Sequence, residues 1–90
     1  MTDLQQRFHD CLEYVRTADT SVPLTTTMKL EMYALFKQAT EGDISGNKPG
    51  MTDLVNRAKY NAWEACKGLT SNEAMNRYIE RVEGIRLVVG

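Results

Sequence analysis

The run Thr25-Thr26-Thr27-Met28-Lys29-Leu30-Glu31-Met32-Tyr33-Ala34-Leu35-Phe36-Lys37-Gln38-Ala39-Thr40-Glu41-Gly42 decides the fold. Its threonines offer N-cap hydroxyls, Gly42 suits the position just past a helix, and no proline or glycine interrupts the interval. The pattern predicts a helix from about Thr26 to Glu41. At about 100° per residue, Met28, Met32, Leu35 and Ala39 fall together as a core stripe. Leu30, Tyr33 and Lys37 cluster nearly opposite, as a second face, apolar and basic, that a single core does not need. Two readings of that face stay open on the wheel alone: exposed residues of an ordinary surface helix, or a binding face.

Three more helical periods flank this one. From about Asp3 to Arg16, Leu4, Phe8, Cys11, Leu12 and Val15 form one stripe. A third helix is expected from about Asp53 to Lys67, with Val55, Ala58, Ala62 and Cys66 inward and Lys59 at the stripe's edge. There a lysine can lay its stem on apolar surface and extend its ammonium outward. A fourth runs from about Ser71 to Arg86, opened by a Thr70/Glu73 capping box with Leu69 placed to staple against Ala74. Its Tyr78 shares an arc with Met75, Val82 and Ile85. The link from Gly42 to Met51 is long for a bundle and implies a crossover. No stretch alternates as a strand would. The prediction is one all-α domain over residues 1–90.

Composition narrows the function. The formal net charge of −1 disfavours a nucleic-acid binder, and 42% apolar with 26% charged residues argues against disorder. The stretch Met1 to Arg7 lacks the apolar core of a secretory signal, so a reduced, cytoplasmic protein is expected. Cys11 and Cys66 lie in different helices, without metal-type spacing, and read as packed thiols. His9 stands without an evident nucleophile partner, and no phosphate-loop glycine pattern occurs. Asp43, Ser45 and Asn47 alternate like calcium ligands, but Lys48 occupies the turn-glycine position and Leu54 the bidentate-glutamate position, which rejects an EF-hand. No catalytic residue, metal or cofactor is expected.

Three ordered motifs carry a resemblance. Tyr33-Ala34-Leu35-Phe36-Lys37-Gln38-Ala39-Thr40-Glu41-Gly42-Asp43, then Pro49-Gly50-Met51 with Ala58-Lys59-Tyr60-Asn61-Ala62-Trp63, then Ala74-Met75-Asn76-Arg77-Tyr78-Ile79 together resemble the acyl-CoA-binding protein family. The resemblance covers nearly the whole chain. It implies an up-down-down-up four-helix bundle with one long crossover. It also implies non-catalytic binding and intracellular transport or pooling of medium- to long-chain fatty acyl-CoA by a cytoplasmic monomer, with transient contact to acyl-CoA-using enzymes or membranes.

By motif position, Tyr33, Lys37 and Lys59 would meet the coenzyme's phosphates, especially the ribose 3′-phosphate. Tyr78 would pack on the nucleotide, and Leu30 would line the acyl groove. Arg16 stands near the ligand where the family usually has lysine, Phe36 where it usually has tyrosine, and Tyr60 where it usually has tryptophan. The rival reading is a protein-interaction module docking a partner helix on the Leu30/Tyr33 face. A docking patch does not require Lys37 and Lys59 together; a phosphate site does.

Overall fold

The computed structural model describes residues 2–17 and 24–89. Its four helices are α1 (Asp3–Thr17), α2 (Thr26–Glu41), α3 (Leu54–Glu64) and α4 (Ser71–Val89), and no strand occurs among the described residues. Local chemistry sets most of the ends. The Thr25 hydroxyl accepts the Met28 amide at 3.1 Å, capping α2, and Asp53 caps α3 by accepting from the Asn56 amide. Thr70 and Glu73 form the reciprocal box at 3.2 and 3.1 Å. Thr2 and Gln5 form a second such box at α1, at 3.0 and 3.1 Å, which the sequence reading had not identified. At the other end of α2, Gly42 takes φ 81°, a left-handed conformation that costs glycine little, and its amide donates to Gln38 O.

Cross-helix contacts give the topology. Gln38 reaches Leu69 and Ser71 reaches Ala39, whereas Glu31, near the other end of α2, pairs with Arg81. The helices α2 and α4 are therefore antiparallel. Tyr33 lies under Lys59 and Lys37 over Trp63, so α2 and α3 run parallel. Phe8 meets Tyr78 and Tyr14 meets Arg86, so α1 and α4 also run parallel. The result is the expected up-down-down-up bundle. Parallel neighbours need a return path. The twelve residues from Gly42 to Asp53 can span about 40 Å, enough to run back along the roughly 24 Å of α2.

The core lies between α1, α2 and α4: Phe8 and Cys11 meet Met32, Leu35 and Ala39 across to Ala74, Tyr78, Ile79 and Val82. α3 stands at the margin, packs on α2 and no other helix, and contains no fully buried side chain. Two expectations are corrected here. The Leu30/Tyr33/Lys37 face is not surplus to the packing, because α3 covers it; Ala34 on that side is buried and the other three are half-buried. Val55 is 67% exposed rather than inward, because the α2–α3 contact is made one turn or more further along, at Lys59, Ala62 and Trp63.

Side chains from α3 also hold the crossover. Trp63 Nε1 donates to Gly42 O at 2.9 Å, Arg57 to Pro49 O at 3.1 Å and the Tyr60 hydroxyl to Gly46 O at 3.3 Å. Asp43 Oδ1 accepts from the Gly68 amide at 2.9 Å and from Gln38 Nε2 at 2.7 Å. Gln38 is buried and also donates to Leu69 O; its Oε1 has no partner among the described residues.

Candidate ligand-binding site

Tyr33 is half-buried on α2 between two environments. On its α3 side, Lys59 Nζ stands 5.3 Å from the ring centroid and Lys37 Nζ 5.9 Å. Lys37 Nζ is also 5.6 Å from the Trp63 ring, so two aromatic faces and the α2–α3 packing place both ammonium groups at one seam. Lys37 additionally pairs with Glu41, one helical turn on, and that hydrogen bond raises its pKa above the ordinary lysine value. An anion arriving at this seam meets Lys59 directly and competes with Glu41 for Lys37.

On its other side Tyr33 lines an apolar groove of about 420 Å³ formed by α1, α2, α4 and the end of the α1–α2 link. Leu12, Met32, Phe36 and Tyr78 supply apolar and aromatic walls, with Arg16 and Lys29 as its charged members. Phe8 braces the aromatic wall from behind: its ring is 6.5 Å from that of Phe36 and meets Tyr78 edge-on at 5.2 Å. Burial pushes the Tyr78 pKa up to about 12, so this phenol is neutral at every physiological pH. Arg16 pairs with Glu13 at 2.8 Å but is three-quarters exposed, so that pair holds it weakly.

The structure thus brings Arg16, Tyr33, Phe36 and Tyr78 to one groove and Lys37 and Lys59 to the adjoining seam. It does not bring Leu30 to that groove. Leu30 lines a separate apolar recess of about 370 Å³ between α2 and α3, with Ala34, Ala62 and Cys66. Sequence reasoning missed Lys29 and Trp63 as site neighbours. Lys29 was within reach, being only about 40° from Tyr33 on the helical wheel. Trp63 was not, because its place over Lys37 depends on how α3 crosses α2.

Nothing here assembles a nucleophile and base. Burial raises the pKa of both Cys11 and Cys66, keeping them as thiols rather than thiolates. Among the described residues, no three His, Cys, Asp or Glu side chains gather as metal ligands, and no helix is long and apolar enough to cross a membrane. The arrangement sets two ammonium groups beside an aromatic groove, with an aliphatic recess between α2 and α3.

Residues 5–82 match the sequence profile of the family described as Acyl CoA binding protein. The chain belongs to that family. It is 45% identical over 76 residues to acyl-CoA-binding protein homolog 1 of Caenorhabditis elegans, covering 84% of this chain and 86% of the relative. It is 40% identical over 88 residues to the acyl-CoA-binding protein homolog of Manduca sexta, covering 97% and 96%. The crystal structure of Oryza sativa Acyl-CoA-Binding Protein 2 superposes with a TM-score of 0.87 at 34% identity, covering 96% of this chain and 93% of that one. The corresponding protein from Moniliophthora perniciosa gives 0.86 at 31%, covering 94% and 80%. Binding and transport of acyl-CoA, without catalysis, is the function of acyl-CoA-binding proteins.

Proposed function

We propose that this protein binds medium- to long-chain fatty acyl-CoA thioesters and carries them through the cytoplasm as a monomer. It would need no cofactor, and it would deliver its ligand by transient contact with acyl-CoA-using enzymes or membranes. One observation carries this reading: two ammonium groups, on Lys37 and Lys59, flank the ring of Tyr33, which also lines the aromatic groove. A protein-docking face has no need of that pair.

In this reading the 3′-phosphate sits between Lys37, Lys59 and the Tyr33 hydroxyl. The charge-assisted hydrogen bonds made there are roughly twice as strong as neutral ones. The nucleotide lies in the groove against Tyr78 and Phe36, with Arg16 at the coenzyme's other phosphates. The acyl chain enters the Leu30 recess, where each buried methylene adds about 0.8 kcal/mol, or about fourfold in affinity, until the recess is full.

Calorimetric titration with acyl-CoAs of increasing chain length tests it. Affinity should rise with length and then level off, and Lys37→Ala and Lys59→Ala should each weaken binding on the order of tenfold or more. The matching free fatty acids should bind far more weakly. Wild-type affinity in both variants, or equal affinity for acid and thioester, would refute the assignment.

A further inference from the structure

Glu41 is a carboxylate placed where helix electrostatics disfavour it. It is the last residue of α2, and no basic residue stands in the final turn of that helix. The carbonyl end of a helix carries partial negative charge and favours cations over carboxylates. Among the described residues, Glu41 makes one ion pair, with Lys37 four residues earlier. A cation followed by a carboxylate in that order runs against the helix dipole and is the weaker arrangement for helix stability. The Glu41 side chain is also 52% exposed, and exposed pairs add little to a fold. The effect of the pair therefore falls on Lys37 rather than on the stability of the bundle.

Lys37 is confined. Its side chain is 27% exposed, and its ammonium lies between the rings of Tyr33 and Trp63. Trp63 is itself tied to the Gly42 carbonyl, next in the chain to Glu41. Lys59, the other cation over Tyr33, makes no ion pair among the described residues. The two ammonium groups are thus unequal. Lys59 is open to an arriving anion, whereas Lys37 already holds an anion belonging to the chain. A phosphate reaches Lys37 by displacing Glu41, or shares the ammonium with a like charge beside it.

We infer that Glu41 is an internal competitor for the ligand's phosphate: it occupies Lys37 while the site is empty and sets the affinity for acyl-CoA below what the two lysines alone would give. The inference rests on the carrier reading and adds the residue that opposes binding. A carrier has to surrender its cargo, and a tethered carboxylate that reclaims Lys37 as the phosphate leaves favours release.

The test is calorimetric titration of the wild type, Glu41→Gln, Lys37→Ala and the double variant, each with one acyl-CoA and with its 3′-dephospho analogue. Glutamine keeps the length and helix propensity of glutamate and removes the charge. Glu41→Gln should bind acyl-CoA about two- to fivefold more tightly, the scale of an exposed ion pair. Its affinity for the dephospho analogue should match that of the wild type. In the Lys37→Ala background the same substitution should bring no comparable gain, because the contested cation is gone. A merely structural role for Glu41 would shift both ligands alike. Unchanged or weaker acyl-CoA binding by Glu41→Gln would overturn the inference. So would a gain shared by the dephospho analogue, or one that survives without Lys37. Each of these results still has the wild type binding acyl-CoA and leaves the carrier reading standing. No binding by the wild type would refute that reading, and the inference with it.

Discussion

Tyr33 and Lys37 could be placed on one face of a helix from their spacing of four, but the meaning of that face came from α3. Lys59 meets Tyr33 only because a helix distant in sequence packs alongside, and no local rule sets that distance. Asp43 makes the same point with a measurable consequence. Its carboxylate accepts the Gly68 amide and the Gln38 side chain, and Lys67 lies nearby; these hold its pKa below the ordinary value of 3.8. A carboxylate whose folded-state pKa is depressed contributes stability that is present above its unfolded pKa of about 3.9 and is lost as pH falls through the lower folded value. Asp43→Asn should therefore be less stable than the wild type at pH 7, with the gap closing as pH falls below about 4. Urea unfolding across that range checks this. A gap independent of pH would mean that the charge on Asp43 contributes nothing.

Among the elements, the helices with a local stop or start signal were the legible ones. The bounds of α2 were read correctly, because a threonine cap and Gly42 enclose it. The Thr70/Glu73 box opens α4 as read, and Thr70→Ala should cost about 1 kcal/mol by freeing the Glu73 amide. Chemical denaturation measures this, and a loss within error of zero would show that Glu73 alone caps the helix. Other bounds drifted where tertiary contacts intervene. The end of α3 comes at Glu64 rather than Lys67, because the next residues tighten into shorter-range turns, with the Cys66 amide on Trp63 O and the Lys67 amide on Glu64 O. α4 continues past Arg86 to Val89, with Ile85 still packed in the core. For α3, helical periodicity identified an apolar stripe but could not indicate how far along it α2 reaches, so Val55 was misplaced.

At the scale of the whole molecule, a ligand held by residues of all four helices would couple binding to global stability. Acyl-CoA at one hundred times its Kd should add about 2.7 kcal/mol and raise the Tm of a domain this size by about 10–20 °C. The same concentration of free fatty acid should raise it little. Differential scanning calorimetry distinguishes the two, and an unchanged Tm with acyl-CoA would contradict binding to the folded state. The sequence by itself determined four helices, a long crossover and two faces on α2, because caps, periodicity and turn residues act over a few residues. The three family motifs named the ligand class. Tertiary structure decided what the second face of α2 is for. It is a packing seam first, buried under α3, and the same seam brings Lys59 and Trp63 to Tyr33 and Lys37 and sends Leu30 to a recess apart from the aromatic groove. That outcome depends on how α3 crosses α2, a long-range packing choice made by side-chain shape, and helical periodicity carries no information about it.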